Sequence, residues 1–443
     1  MKKRMRKILA AILGGATLTS SLFSYGVSAA EVEVTQTKEM EYPALEKAKE
    51  SGEKIKLTFW HNASSPAVAQ YEPHVKSMED FANDYPNIEI EADTLSETEY
   101  RYVLQSRLAS GEYADCFIYW GTGGCFDYAR NGYFLNLDDY VTDDYFEEIL
   151  PNCRSAAYCD DSIYMIPYSN SCSGLVVNKA LFDEYGFEVP TTYDELLQNV
   201  KEWVELGIVP CYIGGSENWT TMGLWDTLGM REVGAATADA AIKGDTSWNQ
   251  EGFIEAARKV QELVEAGFFQ EGFMSMTANE CNTIFMEGNV PYNYTGSWFA
   301  GIFSDMEDVR AVPWPDHETG QDATEVFGGP SSGVFINANT EYPEIATEFA
   351  MYYATHMSKY SIQLNKMPNT YKMDFDPAEL NPVLSDFINL FENAGANCSY
   401  RDHMLGESRT AMYVEPIQKL FMKEITPEEF IEDLDNLDIY DVY

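Results

Sequence analysis

Positive charge is scarce in this chain: 29 Lys and Arg stand against 72 Asp and Glu, a formal net charge of −43. A nucleic-acid partner is thereby excluded, since neutralising a phosphate backbone takes a basic face. The same field repels phosphorylated or carboxylated ligands at long range and favours neutral or cationic ones, unless the acidity serves only solubility. Histidine is scarcer still. The five residues His61, His74, His317, His356 and His403 show no ligand spacing, and the eight cysteines contain no C-x-x-C pair, so no metal or other cofactor is expected. Spacing alone leaves a Cys153–Cys159 disulfide open. Also missing are a G-x-S-x-G elbow and an H-E-x-x-H pair, so no catalytic residue is assigned and an enzyme is not expected. Carboxylate pairs of the kind glycoside hydrolases use are unavoidable among 72 acids and carry no weight. Past the first thirty residues, no stretch approaches the ~20 apolar residues that a membrane span requires.

What the N-terminus does contain is a secretory signal. Lys2, Lys3, Arg4, Arg6 and Lys7 precede an apolar run from Ile8 to Ala16, and Val27-Ser28-Ala29-Ala30 supplies the small-residue end. A lipoprotein signal would place a cysteine just after the cleavage point. The first cysteine is Cys116, so export without a lipid anchor is expected, to the extracellular face of the membrane or the periplasm. Loss of residues 1–30 removes five cations and no acids, which takes the charge from −43 to −48. Residues 31–53 read as a charged leader, partly helical or loose.

A mature chain of this length exceeds the ~250–300 residues at which one core stops growing, which predicts two lobes. Ile55-Lys56-Leu57-Thr58-Phe59-Trp60 reads as a buried strand. A helix from Ser65-Pro66 to Tyr85, a strand over 88–92, a helix over 100–109 and a strand over 116–120 follow. This β-α-β-α-β order implies parallel strands with ligand contacts from loops at their carboxyl ends. In the second half, strands are expected at 175–177, 209–213, 290–294 and 333–336, with a capping box opening at Thr192. Helices are expected over 249–266 and from 343 to about 356. The acidic C-terminal segment, with Phe430, Ile431, Leu434 and Leu437, reads as a terminal helix packed on the second lobe, not a partner-docking tail. No linker separates the halves, so the lobes interweave.

The order of signatures resembles the extracellular solute-binding proteins of carbohydrate ABC importers, often called family 1, from about residue 55 to about residue 425. The carriers are Leu57-Thr58-Phe59-Trp60-His61, Phe81-Ala82-Asn83-Asp84-Tyr85-Pro86-Asn87-Ile88, Ser110-Gly111-Glu112-Tyr113-Ala114-Asp115 and Ile163-Tyr164-Met165-Ile166-Pro167. Val177-Asn178-Lys179-Ala180-Leu181-Phe182, Val189-Pro190-Thr191-Thr192-Tyr193-Asp194-Glu195-Leu196 and Phe285-Met286-Glu287-Gly288-Asn289 leading to Gly296-Ser297-Trp298 continue the series. The resemblance implies an α/β, periplasmic-binding-protein type II fold: two interwoven lobes, three crossovers and a hinge over an interlobe cleft. The crossovers would lie near 168–174, 327–333 and 356–361. The N-terminal lobe would take 54–170 plus 331–358 and the C-terminal lobe 171–330 plus 359–443. Cys116, where a β-branched residue is commoner, and Val290-Pro291-Tyr292, in place of a small-residue run, depart from the pattern. The implied ligand is a sugar or oligosaccharide, the implied partners are ABC permease subunits, and the implied state is a monomer.

A pyranose presents a flat C–H face and a rim of hydroxyls, which calls for aromatic plates and planar polar groups. Trp60, Trp120, Trp219, Trp225 and Trp298 are the candidate plates, each with core packing as the alternative, and Tyr168 is either plate or packing. Candidate polar partners are Asn62, Ser64, Glu97, Thr122, Glu217, Asn218, Asn293 and Asp402, with Arg401 as a bidentate donor. Gly328 and Gly329 hinge or offer backbone donors, and Asp115 serves a turn. Competing readings are a secreted glycoside hydrolase and the same fold holding a cationic small molecule.

Overall fold

The computed structural model describes residues 31–65, 68–95, 97–121 and 123–439, so the secretory signal lies outside the described residues. Twelve strands are found among them: β1 (Thr35–Gln36), β2 (Ile55–His61), β3 (Ile88–Thr94), β4 (Cys116–Trp120), β5 (Tyr158–Cys159), β6 (Ser162–Ile163), β7 (Met165–Asn178), β8 (Tyr292–Gly296), β9 (Val309–Val312), β10 (Val326–Ile336), β11 (Met373–Asp374) and β12 (Asn397–Cys398). The main sheet runs β3-β2-β4-β10-β7-β8, with β9 also paired to β7 and β12 to β10. β2 lies parallel to β3 and β4, as the β-α-β-α-β reading requires.

Two long strands carry the chain between the lobes. β7 pairs with β10 through its first half and with β8 and β9 through its second, while β10 pairs with β4 at one end and β12 at the other. The ladder between them slips at Pro330 to Ser332, where proline has no N–H to donate. Both strands pass through the expected crossovers at 168–174 and 327–333. The range expected for the third crossover, 356–361, falls within the helix Pro343–Gln363, seven residues longer than expected and buried over most of its surface.

One buried cluster gathers Leu57, Phe59, Phe117, Val334 and Phe349 and extends past the hinge to Phe285, Phe303 and Phe387. A second collects Val200, Trp203, Trp225, Trp248, Val260, Tyr292, Tyr413 and Phe430. The Thr192 capping box is present, with Glu195 reaching back to the Thr192 backbone N–H. The terminal helix Pro427–Asp435 buries Phe430, Ile431 and Leu434.

Three expectations are corrected. The helix after β2 begins at Tyr71, and its N-cap is Gln70. Residues 209–213 form no strand; Cys211 makes only isolated bridges to Phe269 and Tyr292. The leader is integral to the fold: β1 pairs with β11, Val32 and Leu45 are buried, and Glu348 accepts the Ala44 and Leu45 N–H groups at 3.0 and 2.9 Å. Its apolar residues at 32, 34, 42 and 45 explain the docking. All eight cysteines are buried and none is in a disulfide, Cys153 accepting a hydrogen bond from Asn170 Nδ2 at 3.1 Å.

Candidate functional site

Strand alternation decides what the end of β2 can offer. Phe59 points into the core against Phe349 and Tyr353, so Trp60 points to the opposite face, beneath the helix Glu97–Ser110. There the Arg107 guanidinium lies 4.2 Å over its ring, and Tyr100 Oη donates to the carbonyl oxygens of Trp60 and Ile118 at 3.0 and 2.7 Å. Trp60 is therefore a packing residue beneath that helix, not an open plate. His61 stacks on His74 with ring centroids 3.9 Å apart, and burial pushes their imidazoles down to about 4 and about 3. Asn62 is 5% exposed, and its Oδ1 has no hydrogen-bond partner among the described residues. Ser64 is half-buried beside it.

Trp120 ends β4. Tyr100 meets it edge-on at 6.2 Å, and the Arg101 guanidinium lies 3.6 Å over its ring. Arg101 Nη2 reaches Asp402 Oδ2 at 3.4 Å, so a contact runs from Trp120 across to the short helix Arg401–Leu405 on the other side.

That other side is an aromatic wall. Trp298 follows β8, and its indole folds back over Gly296, where a Cβ would lie 2.0 Å from the ring. Glycine is required there by close approach. Trp219 meets Trp298 edge-on at 5.4 Å, and Tyr400 meets it edge-on at 6.0 Å. Trp219 and Trp298 are both half-buried, as a plate at a cleft must be.

Several candidates stand elsewhere. Trp225 is 1% exposed in the second core, where its Nε1 donates to Tyr413 Oη at 2.8 Å and Phe430 packs edge-on. Arg401 is fully buried: it donates to Asp226 at 3.3 Å, to Asp239 at 2.6 Å and to Cys398 Sγ at 3.0 Å. It anchors its helix instead of reaching a ligand. Burial pushes the Asp226 carboxyl up to about 6, with Arg401 pulling the other way. Asn293 is 3% exposed and donates to Asn282 Oδ1 at 2.7 Å, on the face of β8 away from the Tyr292 and Tyr294 core. Glu217 Oε2 accepts the Ala278 N–H at 2.6 Å, and Asn218 Oδ1 accepts from Gln418 Nε2 at 2.9 Å. Tyr168 is buried against Tyr353 and is packing. Asp115 accepts from the Thr58 N–H and hydroxyl at 2.8 and 2.7 Å and from the Thr340 hydroxyl at 2.8 Å, so in place of the local turn expected for it, it ties β4 to β2 and to the segment after β10. Thr122 lies outside the described residues, as does the side chain of Glu97.

Arg101 and Tyr400 were not among the sequence candidates. Tyr400, which packs edge-on against Trp298, adjoins the predicted Arg401-Asp402 pair. Arg101 carried no signal, because a cation on a half-exposed helix is usually a solvated group. Among the described residues, no three His, Cys, Asp or Glu side chains gather as a metal would need, and no helix is long and apolar enough to cross a membrane.

Residues 37–360 match the family described as bacterial extracellular solute-binding protein. The chain belongs to that family. Among its relatives, the multiple sugar-binding protein of Streptococcus mutans is 24% identical over 70% of this chain and 73% of its own. The maltotriose-binding protein of Pyrococcus abyssi is 23% identical over 76% of this chain and 72% of its own. A solved structure from work on xylan utilization by Caldanaerobius polysaccharolyticus superposes with a TM-score of 0.81 at 28% identity, covering 86% of this chain and 99% of that one. The architecture is thus the periplasmic-binding-protein type II fold, with two interwoven α/β lobes and a hinge. In a solute-binding protein of this build the hinge strands must stay close, and a Cβ at Gly328 would lie 2.4 Å from the Ser171 carbonyl oxygen. Gly329 holds φ +147, a conformation other residues rarely adopt. Both glycines thus answer to backbone geometry at the hinge.

Proposed function

We propose that this chain is the exported capture component of an ABC importer, closing its lobes over a sugar or oligosaccharide and delivering it to the permease without making or breaking a bond. The observation that carries the reading is the cluster of Trp219, Trp298 and Tyr400, to which Trp120 is linked through Arg101 and through Asp402, which stands two residues after Tyr400. Edge-on packing fixes those rings, and Trp219 and Trp298 stay half-buried, so part of each indole is left for a pyranose. Asn62 Oδ1, buried without a partner, supplies an acceptor at the same edge. The named relatives bind sugars, which supports the class without fixing length or linkage. The N-terminal lobe takes 54–170 plus 331–358, together with the docked leader, and the C-terminal lobe takes 171–330 plus 359–443. The protein acts as a monomer outside the membrane, and its first thirty residues are removed on export.

The test is a thermal-shift and calorimetric panel of maltotriose, xylotriose, chitotriose and spermidine. A saccharide that binds stabilises the fold by about 2.7 kcal/mol at a hundredfold excess over Kd. Response to spermidine alone transfers the assignment to a cationic ligand. Release of shorter sugars during incubation makes the protein a hydrolase.

A further inference from the structure

The seam between the lobes is bridged by ion pairs of opposite sense. Arg101, on the N-terminal lobe's helix Glu97–Ser110, reaches Asp402 on the C-terminal lobe at 3.4 Å. Conversely Arg409 of the C-terminal lobe approaches Asp127 of the N-terminal lobe at 3.9 Å. The first pair is the more sheltered, with side-chain exposures of 19% and 16%. It is also the one tied to an aromatic plate: the Arg101 guanidinium sits 3.6 Å over Trp120, whose total exposure is 7%. That separation is van der Waals contact, so the covered face has no room for a pyranose while Arg101 stays in place.

Asp402 is held to meet it. Its neighbour Arg401 is buried and bonded to Asp226 and Asp239, which pins the short helix to the body of the C-terminal lobe. His403 Nε2 lies 3.7 Å from the same Asp402 oxygen. The contact thus joins a fixed carboxylate on one lobe to a stacked guanidinium on the other.

We propose that Arg101 is an autoinhibitory latch: in ligand-free protein it bridges the lobes from the Trp120 ring to Asp402, and a ligand that stacks on Trp120 must displace it. The inference rests on the saccharide-capture reading. An ion pair exposed to this degree is weak alone, and a guanidinium stack adds a comparable amount. Together they give an affinity penalty of about five- to tenfold, which ligand binding must overcome.

The experiment compares wild type with R101A, R101K and D402N. Small-angle scattering on ligand-free protein reads lobe opening, and calorimetry with maltotriose, xylotriose and chitotriose reads affinity. R101A and D402N are expected to show a larger radius of gyration without sugar. R101A is expected to bind its sugar about five- to tenfold more tightly, with R101K, which keeps charge but loses the planar stack, falling between. D402N tests the latch from the opposite lobe should R101A fold poorly. A ligand-free R101A profile that superimposes on wild type overturns the latch, as does weaker binding by R101A, which would make Arg101 a ligand contact. If no variant binds any of the sugars, the capture reading fails, and the scattering comparison still decides the latch.

Discussion

Arg401 gives the sharpest test of what the buried charges do, because its partners respond differently to its loss. Replacing it with methionine keeps most of the volume but removes the cation from a chain in which Trp225 Nε1 donates to Tyr413 Oη, and Tyr413 Oη donates to Asp226 Oδ1 at 2.7 Å. Asp239 is partly exposed and can be solvated; Asp226 is fully buried, and its Oδ2 has no hydrogen-bond partner among the described residues. Asp226 titrates near 6 in the fold against about 3.9 unfolded, so its ionised form already costs the wild type about 3 kcal/mol above pH 6. Without Arg401 the carboxyl protonates, and at pH 7.5 that caps the total at about 5 kcal/mol, a further loss of about 2. Lost hydrogen bonds to Asp239 and Cys398 add about 1–2 kcal/mol, giving an expected deficit of about 3–4 kcal/mol at pH 7.5. A raised carboxyl pKa makes folding stability recover as pH falls through it. At pH 5.0 Asp226 is largely protonated in both proteins, so its contribution cancels and the deficit shrinks to about 1–2 kcal/mol. Urea unfolding followed by tryptophan fluorescence at the two pH values measures both numbers, and D226N in the R401M background should abolish the difference between them. A deficit below about 1 kcal/mol, or one equal at both pH values, refutes the reasoning.

Trp298 and Trp225 should separate binding from folding. W298A is expected to raise the Kd for the captured sugar about tenfold or more with little change in melting temperature, whereas W225A costs about 3–5 kcal/mol of stability and leaves the affinity of the folded fraction unchanged. Calorimetry and urea melts read the two effects. The buried His61 and His74 are held below their ordinary range, so the stability they contribute is present above pH 6.5 and lost as pH falls toward about 4 and about 3. By pH 5 the loss is about 2 kcal/mol per imidazole, and a H61Q/H74Q double variant should show a shallower acid decline in melting temperature than wild type. A chain beginning at Lys54 lacks the buried Val32, Val34 and Leu45 and should lose about 5 kcal/mol or more by urea unfolding.

The parallel strands were legible because short apolar runs such as 55–60 and 116–120 are bounded by clear helical periodicity. Of the two readings of the leader, partly helical or loose, the helix Pro43–Ser51 agrees with the first; its docking was not legible because its apolar residues are spread among glutamates and the partner of β1, β11, lies more than three hundred residues away. Residues 209–213 have strand composition, but their neighbours offer only isolated bridges, and pairing is a property of two segments, not one. Trp225 was more legible than it looked. Its helix, Asn218–Val233, has Met222, Leu224, Leu228 and Met230 around it, and burial on every side also encloses the polar Thr220, Asp226, Thr227 and Arg231, which only their partners make tolerable.

The site resisted sequence reading for a different reason. A tryptophan at a strand end is equally suited to a core, to a guanidinium stack or to a sugar, and only the neighbours distinguish these uses. Trp60 and Trp120 both lie under arginines of one helix, Arg107 and Arg101, and the stack alone does not tell a packing ring from one that a ligand can claim. The helix Arg401–Leu405 is five residues long, too short for periodicity to show which side chain faces the cleft, so Arg401 and Tyr400 were interchangeable on paper. Yet the scarcity of cations was itself a clue. In a chain with 29 Lys and Arg against 72 acids, a cation has an acidic partner wherever it stands on the surface, so one placed over an indole or sealed beneath a helix reflects a local demand that the overall charge does not explain. Arg101, Arg107 and Arg401 are three such cases, and Arg101 is the one that also reaches across to Asp402.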